Sequence, residues 1–287
     1  MKLSIEEKLR EFLKEDIGFG DITSEALIGD DQMADARIFY RENGIAAGLE
    51  EVATLFQILG CNVKTLVRDG DEVNAGEILI EIKGPAKSLL AGERTALNIL
   101  GRMAGIATAV AEMVAIVSEV SPNTRVASMR KTMPGLREFD KKAVVLGGGD
   151  THRFRLDDCV LIKDNHLILM PSVAEAVKRA RNRVSFTKLI EVEVETFEAA
   201  VEAAEAGADI IMFDNMSPAE IRSSLSNLAE RGLKDGRLYE ASGGINPKNI
   251  AEYAASGVDI ISMGYFTHSV RSLDVKLKIE MIQKGRA

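Results

Sequence analysis

Positively charged side chains follow two apolar runs that are typical of buried strands. Arg130 and Lys131 come after TRVASM, and Lys163 comes after CVLI. In a sheet of parallel strands the carboxyl ends lie at one edge, so these side chains should face the same mouth. Arginine can grip a carboxylate or phosphate through two parallel hydrogen bonds, whereas lysine acts as a point charge. The pattern therefore favours a site for an anionic ligand.

A second group of cations lies in the loop sequence GGGDTHRFRLDD at 147–158. His152, Arg153 and Arg155 follow three glycines there, and long polar loops often carry binding residues. The alternative is an ordinary solvated loop. Together with the cations at the strand ends, this loop predicts a cluster of positive charge for ligands that carry several negative charges.

Two carboxylates also follow apolar runs at the same expected edge. Glu193 lies in KLIEVE and Asp214 ends DIIMFD. Their oxygens could hold Mg²⁺ or sugar hydroxyls, and could stabilise positive charge that develops on a sugar ring. The alternative is that both carboxylates only balance the nearby cations.

Glycine-rich turns follow the last two apolar runs. The first is Ser242-Gly243-Gly244 and the second is Met263-Gly264, and each leads towards a predicted helix. Backbone N–H groups at such places bind phosphate, so the two turns predict a phosphate cradle. The alternative is that the glycines only permit tight turns.

Other kinds of chemistry lack their motifs. His152, His166 and His268 do not have the spacing of a histidine-bound zinc site, and no GxSxG sequence indicates a serine hydrolase. Cys61 and Cys159 stand alone, which favours core thiols and a reducing cytosol over disulfides.

Composition narrows the class of protein. A net charge of -8 and a pI of about 5.2 argue against a nucleic-acid partner. The sequence shows no secretion signal and no uninterrupted run of about 18 apolar residues. We expect a cytoplasmic protein.

Short strand-like runs alternate with helical segments from residue 124 onward. Strand followed by helix, repeated, predicts parallel strands, and continuous apolar runs predict strands that are buried on both faces. Six such runs, fewer than the eight of a complete barrel, predict an irregular or open parallel α/β barrel. The runs are TRVASMR, CVLIKD, TKLIEVEVE, ADIIMFD, RLYEAS and VDIISMG.

The first part of the chain has a different pattern. A helix at 3–14 is followed by strand-like segments between 34 and 85, with a helix at 49–59, and then by a long helix at 91–120. We therefore expect a small α/β domain over 1–108 and a barrel over 109–267. The last segment, VRSLDVKLKIEMIQK, has a helical or mixed pattern, and 268–287 should pack back on the first domain.

Several longer strings make the chain similar to one family. It resembles the quinolinate phosphoribosyltransferases, also called nicotinate-nucleotide pyrophosphorylases (carboxylating), over nearly its whole length. The strings that carry the resemblance are EDIGFGDITSEAL, ERTALNILGRMAGIAT, RKTMPGLR, GGGDTHRFRLDDCVLIKDNH, IEVEVET, FDN and EASGGI.

The resemblance implies the type II phosphoribosyltransferase fold, which is an N-terminal α/β sandwich plus an open α/β barrel. It implies a homodimer with shared active sites, or a higher oligomer built from it, in which Arg94 is donated across the interface. Matched position by position, the substrate-binding cations are Arg130, Lys131, His152, Arg153 and Lys163, and the carboxylates are Glu193 and Asp214.

The implied reaction joins quinolinate to phosphoribosyl pyrophosphate, with Mg²⁺, and gives nicotinate mononucleotide, pyrophosphate and CO₂ in NAD biosynthesis. Arg130, His152 and Arg153, together with Arg94 of the partner subunit, would hold the quinolinate carboxylates. The 5-phosphate would bind at the turns 242–244 and 263–264, and the pyrophosphate would bind Mg²⁺, Lys131 and Lys163. Glu193 and Asp214 would stabilise the ribosyl cation.

One motif departs from the family at two positions. The usual DTRKT is replaced by Ser128-Met129-Arg130-Lys131-Thr132, so a threonine that contacts substrate is missing. Three alternatives stay open: a ModD-like relative linked to molybdenum transport, a Schiff-base aldolase that uses Lys131 or Lys163, and a barrel that binds anions without turnover.

Overall fold

The protein is described by a computed structural model covering residues 2–281. Its helices are α1 Lys2–Ile17, α2 Ile22–Leu27, α3 Leu49–Ile58, α4 Ala86–Val120, α5 Arg137–Leu146, α6 Asp164–Leu167, α7 Val173–Arg183, α8 Phe197–Glu205, α9 Pro218–Glu230, α10 Ile250–Ala254 and α11 Tyr265–His268. Its strands are β1 Met33–Tyr40, β2 Gly44–Ile45, β3 Asn62–Thr65, β4 Glu72–Val73, β5 Ile78–Pro85, β6 Arg125–Ser128, β7 Val160–Ile162, β8 Ile190–Val194, β9 Ile210–Asp214, β10 Leu238–Ser242, β11 Ile260–Met263 and β12 Val275–Met281.

The chain forms two compact units. The first contains the residues up to Ala109, Glu138–Gly147 and the residues from Val270 onward, and the second contains Val110–Arg137 and Gly148–Ser269. The sequence placed all of 109–267 in the barrel domain. The segment Glu138–Gly147 departs from that expectation, because α5 clusters with the first unit.

Buried ion pairs explain the placement of α5. Both oxygens of the fully buried Asp140 accept hydrogen bonds from Arg102 of α4, at 2.7 and 2.9 Å. Lys142 donates to Glu50 at 2.8 Å and to Glu51 at 2.9 Å. A buried carboxylate needs such partners to offset the loss of water, so these pairs fix α5 on the first unit.

The first unit contains an antiparallel sheet in the order β12-β1-β5-β3. Strand β1 buries alternate residues, among them Ala36 and Ile38, as expected for a strand with one face on a core. Strand β12 pairs with β1 over the register Ala34↔Met281 to Tyr40↔Val275. The helical or mixed pattern expected for the last segment was therefore wrong for 275–281, and the rest of 268–287 beyond residue 281 lies outside the described residues.

The second unit contains a parallel sheet in the order β6-β11-β10-β9-β8-β7. All six apolar runs form strands, and β6 and β7 do not pair with each other among residues 2–281. This confirms the expected α/β fold with an incomplete barrel. Because side chains alternate between the faces of a strand, Glu191 and Glu193 of β8 share one face, as do Glu240 and Ser242 of β10.

Helix α4 is long and apolar enough to cross a membrane, judged by length and composition alone. The most apolar 18-residue stretch of this helix is 44% buried, and Leu100, Met103 and Ala104 belong to the core of the first unit. The core helix of a soluble protein meets the same criteria, so this finding is weak evidence for a membrane span.

Candidate active site

A cavity of about 310 Å³ opens at the carboxyl ends of the parallel strands. The structure brings together there the predicted cations of the strand ends, His152 and Arg153 of the loop, and both predicted carboxylates. Arg155, the third loop cation, does not line the cavity and instead lies exposed beside Asp157. The lining residues are Met129, Arg130, Lys131, His152, Arg153, Leu161, Lys163, Glu193, Met212, Asp214, Glu240, Ser242 and Ser262.

Lys163 and Glu193 form an ion pair at the edge of the sheet. Lys163 follows β7 and Glu193 lies in β8, and the parallel register Ile162↔Val192 places the two side chains side by side. The Glu193 side chain is 10% exposed, whereas that of Lys163 is 42% exposed. Lys163 can therefore reach a ligand while its carboxylate partner stays largely buried.

Asp214 ends β9 and lines the same cavity. Its Oδ2 accepts a hydrogen bond from Nδ2 of Asn215 at 2.7 Å. Asn215 has a φ of 56°, and its backbone N–H donates to the carbonyl of Ser242 at 3.0 Å. This left-handed residue links the ends of β9 and β10 and orients the Asp214 carboxylate.

The two glycine turns have different surroundings. Gly243 has a φ of 89°, and a Cβ atom there would lie 2.6 Å from the backbone nitrogen of Asn215. Gly244 has a φ of 63° and faces open space. A Cβ at Gly264 would lie 2.7 Å from Cδ2 of His268 and 3.0 Å from Cδ of Lys131. The backbone of Asn215 therefore requires glycine at Gly243, whereas the neighbours of Gly264 are side chains, which can move.

Only the second turn runs directly into a helix. Gly264 immediately precedes α11, whereas residues 245–249 lie between Gly244 and α10. Of the five residues predicted for the cradle, Ser242 lines the cavity and Gly243, Gly244, Met263 and Gly264 do not. Their assignment to a phosphate stays a prediction.

The loop that carries His152 is anchored to the sheet. Asp150 forms a parallel bridge with Ala127: its N–H donates to Val126 at 2.8 Å, and its carbonyl accepts from Ser128 at 2.9 Å. Its Oδ1 accepts from the N–H of His152 at 2.7 Å. These bonds extend the sheet beside β6, so the start of the loop is not an ordinary solvated segment.

His152 forms a cluster with two buried carboxylates, and we call these three residues the His152 cluster. Nε2 of His152 lies 3.0 Å from Oε2 of Glu240 and 3.4 Å from Oε2 of Glu191. The first distance is a hydrogen bond, and the second is an ion-pair distance. Nδ1 accepts a hydrogen bond from the backbone N–H of Arg153 at 2.6 Å. Both ring nitrogens are therefore engaged within the protein.

Protonation of the cluster follows from burial and charge. Burial alone would lower the pKa of His152, but its close contacts with Glu191 and Glu240 and the negative charge of both carboxylates outweigh burial and raise that pKa to about 10. Burial also raises the pKa of Glu191. Because Nδ1 accepts a hydrogen bond from the N–H of Arg153, a proton on Nδ1 is disfavoured. We therefore place one proton on Nε2 of the ring. A second, tightly bound proton belongs to His152, Glu191 and Glu240 as a group.

Glu191 and Glu240 were not among the site residues predicted from the sequence. Both are charged residues in the middle of an apolar strand, in LIEVEV and LYEAS, and that signal could have identified them. Arg94 lies exposed in α4 within the first unit, and its predicted role across a dimer interface stays a prediction.

Comparisons with known proteins agree with one another. Residues 106–278 match the C-terminal domain of the quinolinate phosphoribosyl transferase family, and residues 21–104 match its N-terminal domain. A protein of Methanothermobacter thermautotrophicus named "probable nicotinate-nucleotide pyrophosphorylase (carboxylating)" is 48% identical over 271 residues, which cover 94% of this chain and 97% of that one.

A relative of the same name from Methanocaldococcus jannaschii is 46% identical, over 96% of this chain and 97% of that one. A crystal structure of NadC from Streptococcus pyogenes superimposes with a TM-score of 0.92 at 36% identity and covers 99% of both chains.

Proposed function

The chain belongs to the quinolinate phosphoribosyltransferase family, and from this premise we propose that the cavity of the second unit is the site of the transfer. The enzyme is a pentosyltransferase that joins quinolinate to phosphoribosyl pyrophosphate and yields nicotinate mononucleotide, pyrophosphate and CO₂. The observation that supports the site is the convergence of four permanent cations, Arg130, Lys131, Arg153 and Lys163, on one cavity.

Quinolinate is a flat diacid, and the cavity offers a matching surface. Arg130 and Arg153 both line it and can each hold a carboxylate through forked hydrogen bonds. Met129, Leu161 and Met212 contribute apolar surface in the same cavity. Met129 stands where the family has threonine, so this chain offers a thioether, which can contact an aromatic ring, in place of a hydroxyl.

Phosphoribosyl pyrophosphate would occupy the rim. Lys131 and Lys163 place point charges for its pyrophosphate. The turns at 242–244 and 263–264 would offer backbone N–H groups to its 5-phosphate. The aldolase alternative would need the amine of Lys163 or Lys131 as a nucleophile, and Nζ of Lys163 is already engaged by Glu193.

Glu193 and Asp214 would stabilise the ribosyl centre as it becomes positive. The pyridine nitrogen attacks C1 while the C1–O bond breaks and its electron pair leaves with pyrophosphate. The C2–carboxylate bond of the ring then breaks, its electron pair stays on C2 beside the cationic nitrogen, and C2 takes up a proton. No protein nucleophile is needed for these steps.

The same carboxylates fit Mg²⁺, which prefers oxygen ligands. One oxygen of each has a protein partner, since Glu193 Oε2 contacts Lys163 and Asp214 Oδ2 contacts Asn215. Within residues 2–281 no hydrogen bond of the structure engages the second oxygen of either. When bound there, the ion would neutralise charge on the departing pyrophosphate.

We also propose a cytoplasmic homodimer, or a higher oligomer built from it, in which Arg94 of each subunit completes the neighbouring site. The support is the family resemblance of ERTALN and the exposure of Arg94. Cell fractionation and analytical ultracentrifugation test location and assembly.

The deciding experiment incubates the purified protein with quinolinate, phosphoribosyl pyrophosphate and Mg²⁺ and follows pyrophosphate and nicotinate mononucleotide. We expect stoichiometric formation of both, and much lower kcat/KM with nicotinate, because one carboxylate leaves part of the cation cluster unpaired. Equal kcat/KM with nicotinate and quinolinate would contradict the assignment, and borohydride trapping with a carbonyl substrate would test the aldolase.

A further inference from the structure

The His152 cluster lies at the inner face of the parallel sheet, where His152 and Glu240 reach the cavity lining. The side chains of Glu191 and Glu240 are fully buried, and that of His152 is 14% exposed. The cluster brings together two strands, β8 and β10, and the anchored loop before β7. The cluster therefore links strands β8 and β10 to the loop, so it can fix the position of the loop residues relative to the sheet.

Fold stability does not explain these carboxylates. In the described part of the chain, Oε1 of both glutamates has no hydrogen-bond partner, and Oε2 of Glu191 has only the 3.4 Å approach of His152. Removing a carboxylate from water costs several kcal/mol, and apolar residues of similar volume often serve a core equally well. Two incompletely paired carboxylates at one place indicate a function.

His152 has a backbone conformation that histidine rarely adopts. Its φ is 51°, in the left-handed region, which is maintained only where surrounding contacts enforce it. Two contacts do so: Asp150 accepts from its N–H, and its ring is held between the cluster carboxylates and the N–H of Arg153. The ring thus connects the carboxylates directly to the backbone of Arg153.

Arg153 needs such support because arginine has a long, flexible side chain. Within residues 2–281 its guanidinium makes one long hydrogen bond, from Nη1 to the carbonyl of Cys159 at 3.5 Å, and it attracts the Glu191 carboxylate electrostatically. These contacts leave much of the direction of the side chain to its backbone, which the His152 ring contacts from one side.

We propose that Glu191 and Glu240 are positioning residues for quinolinate binding: they hold the His152 ring, which fixes the backbone of Arg153 so that its guanidinium faces the cavity. The inference rests on the proposed function, since it assigns Arg153 to a quinolinate carboxylate. It gives His152 an indirect role in place of direct contact with quinolinate, because both of its ring nitrogens already have protein partners.

The sign of the effect separates positioning from simple electrostatics. Glu240 carries negative charge beside a site for a dianion, so charge alone predicts that its removal tightens quinolinate binding. Positioning predicts the reverse, because the ring loses its partner and Arg153 loses its fixed direction. A change that removes negative charge yet weakens the binding of an anion would be specific for positioning.

The test compares Glu240→Leu, which removes charge and acceptor, with Glu240→Gln, which keeps an acceptor for Nε2–H, and with Glu191→Gln. We expect Glu240→Leu to raise KM and Kd for quinolinate about tenfold or more, the typical loss when a ligand-orienting partner is removed. Glu240→Gln should restore much of the affinity. The KM for phosphoribosyl pyrophosphate and kcat should change far less.

Glu51→Gln is the matched control, since it neutralises a buried carboxylate that pairs with Lys142 in the first unit. It should lower the melting temperature without changing the KM for quinolinate.

Nitrogen-15 NMR of the histidine rings gives a second readout: wild-type His152 should carry its proton on Nε2, and this tautomer preference should be lost in Glu240→Leu. If Glu240→Leu does not fold, weaker quinolinate binding by Glu191→Gln and the position of the His152 proton in the wild-type NMR spectrum decide the question.

Unchanged or tighter quinolinate binding in folded Glu240→Leu or Glu191→Gln would overturn the inference and leave the proposed function standing. A wild-type enzyme inactive with both substrates would instead refute the proposed function. The three ligand atoms of the cluster lie within 4.8 Å of one another, so a cation is a competing occupant. A stoichiometric divalent metal that survives chelation in wild type and is lost in Glu191→Gln would also overturn the inference.

Discussion

Arg153 and Asp214 line the same cavity from different sides, one from the loop and one from the end of β9. We predict that Arg153→Ala weakens quinolinate binding by about 2 kcal/mol or more, since it removes a charged hydrogen-bonding partner. Asp214→Ala should mainly lower kcat, because it removes a stabiliser of developing positive charge. Calorimetric titration of quinolinate and steady-state kinetics measure the two effects. An equal loss of quinolinate affinity in both variants would contradict these roles.

The His152 cluster makes stability depend on pH. The cluster binds a proton more tightly in the folded state than in the unfolded chain, because Glu191 and Glu240 raise the pKa of His152 from its ordinary value of 6.5 to about 10. A raised folded pKa contributes stability that is complete below the unfolded value and is lost as pH rises through the folded value. The contribution should therefore decrease between pH 6.5 and about 10.

Urea unfolding at a series of pH values in this window measures the prediction. The free energy of unfolding of wild type should fall more steeply with pH than that of the double variant Glu191→Gln/Glu240→Gln. Parallel slopes would show that the cluster does not retain the proton.

At the scale of single residues, the sequence predicted which side chains meet in the cavity where their position along a strand determined which edge of the sheet they reach. Lys163, Glu193 and Asp214 end neighbouring parallel strands, so their convergence followed from the polarity of the sheet. Glu191 and Glu240 were missed because the role of a charged residue inside an apolar strand can be inferred only when the loop residue that contacts it is known. Residues 152 and 240 are far apart in the chain, and no local pattern connects them.

At the scale of elements, the turn after β10 offers a paired test. Gly243→Ala should impair the enzyme strongly, because its Cβ would press on the backbone of Asn215, which orients Asp214. Gly244→Ala is the control: it also has a positive φ but faces open space, so it should cost only about 1 to 2 kcal/mol of stability. Steady-state kinetics and thermal melting measure both variants. Equal kinetic defects would mean that close packing at Gly243 is unimportant.

Local sequence patterns predicted whether most segments form a helix or a strand. They did not predict to which of the two compact units a segment belongs. Apolar runs identified every strand of the parallel sheet. Strand β12 was missed although Val275, Leu277 and Ile279 alternate with charged residues, because the longer window around them has a mixed pattern. The placement of α5 depends on Asp140 and Lys142 meeting partners distant in sequence, which short-range periodicity cannot show.

At the scale of the whole molecule, the shared-site proposal makes a complementation prediction. An inactive Arg94→Ala protein, mixed with an inactive Lys163→Ala protein under conditions of subunit exchange, should recover activity. In the heterodimer both lesions fall in one site and the other site is intact. Activity should follow the heterodimer fraction, measured by native mass spectrometry of tagged subunits. Verified heterodimers as inactive as either parent would place Arg94 in its own subunit's site.

The pairing of β12 with β1 has a consequence for biosynthesis. The antiparallel sheet of the first unit takes one strand from residues 33–40 and its neighbour from residues 275–281, so the sheet stays incomplete while the ribosome makes everything between them. Until then the backbone N–H and C=O groups along one edge of β1 are unpaired, and such an edge can pair with a strand of another chain and aggregate. The parallel sheet has no such dependence on β12, so the nascent chain can assemble the second unit first. Synthesis of β12 then becomes the event that completes the sheet of the first unit.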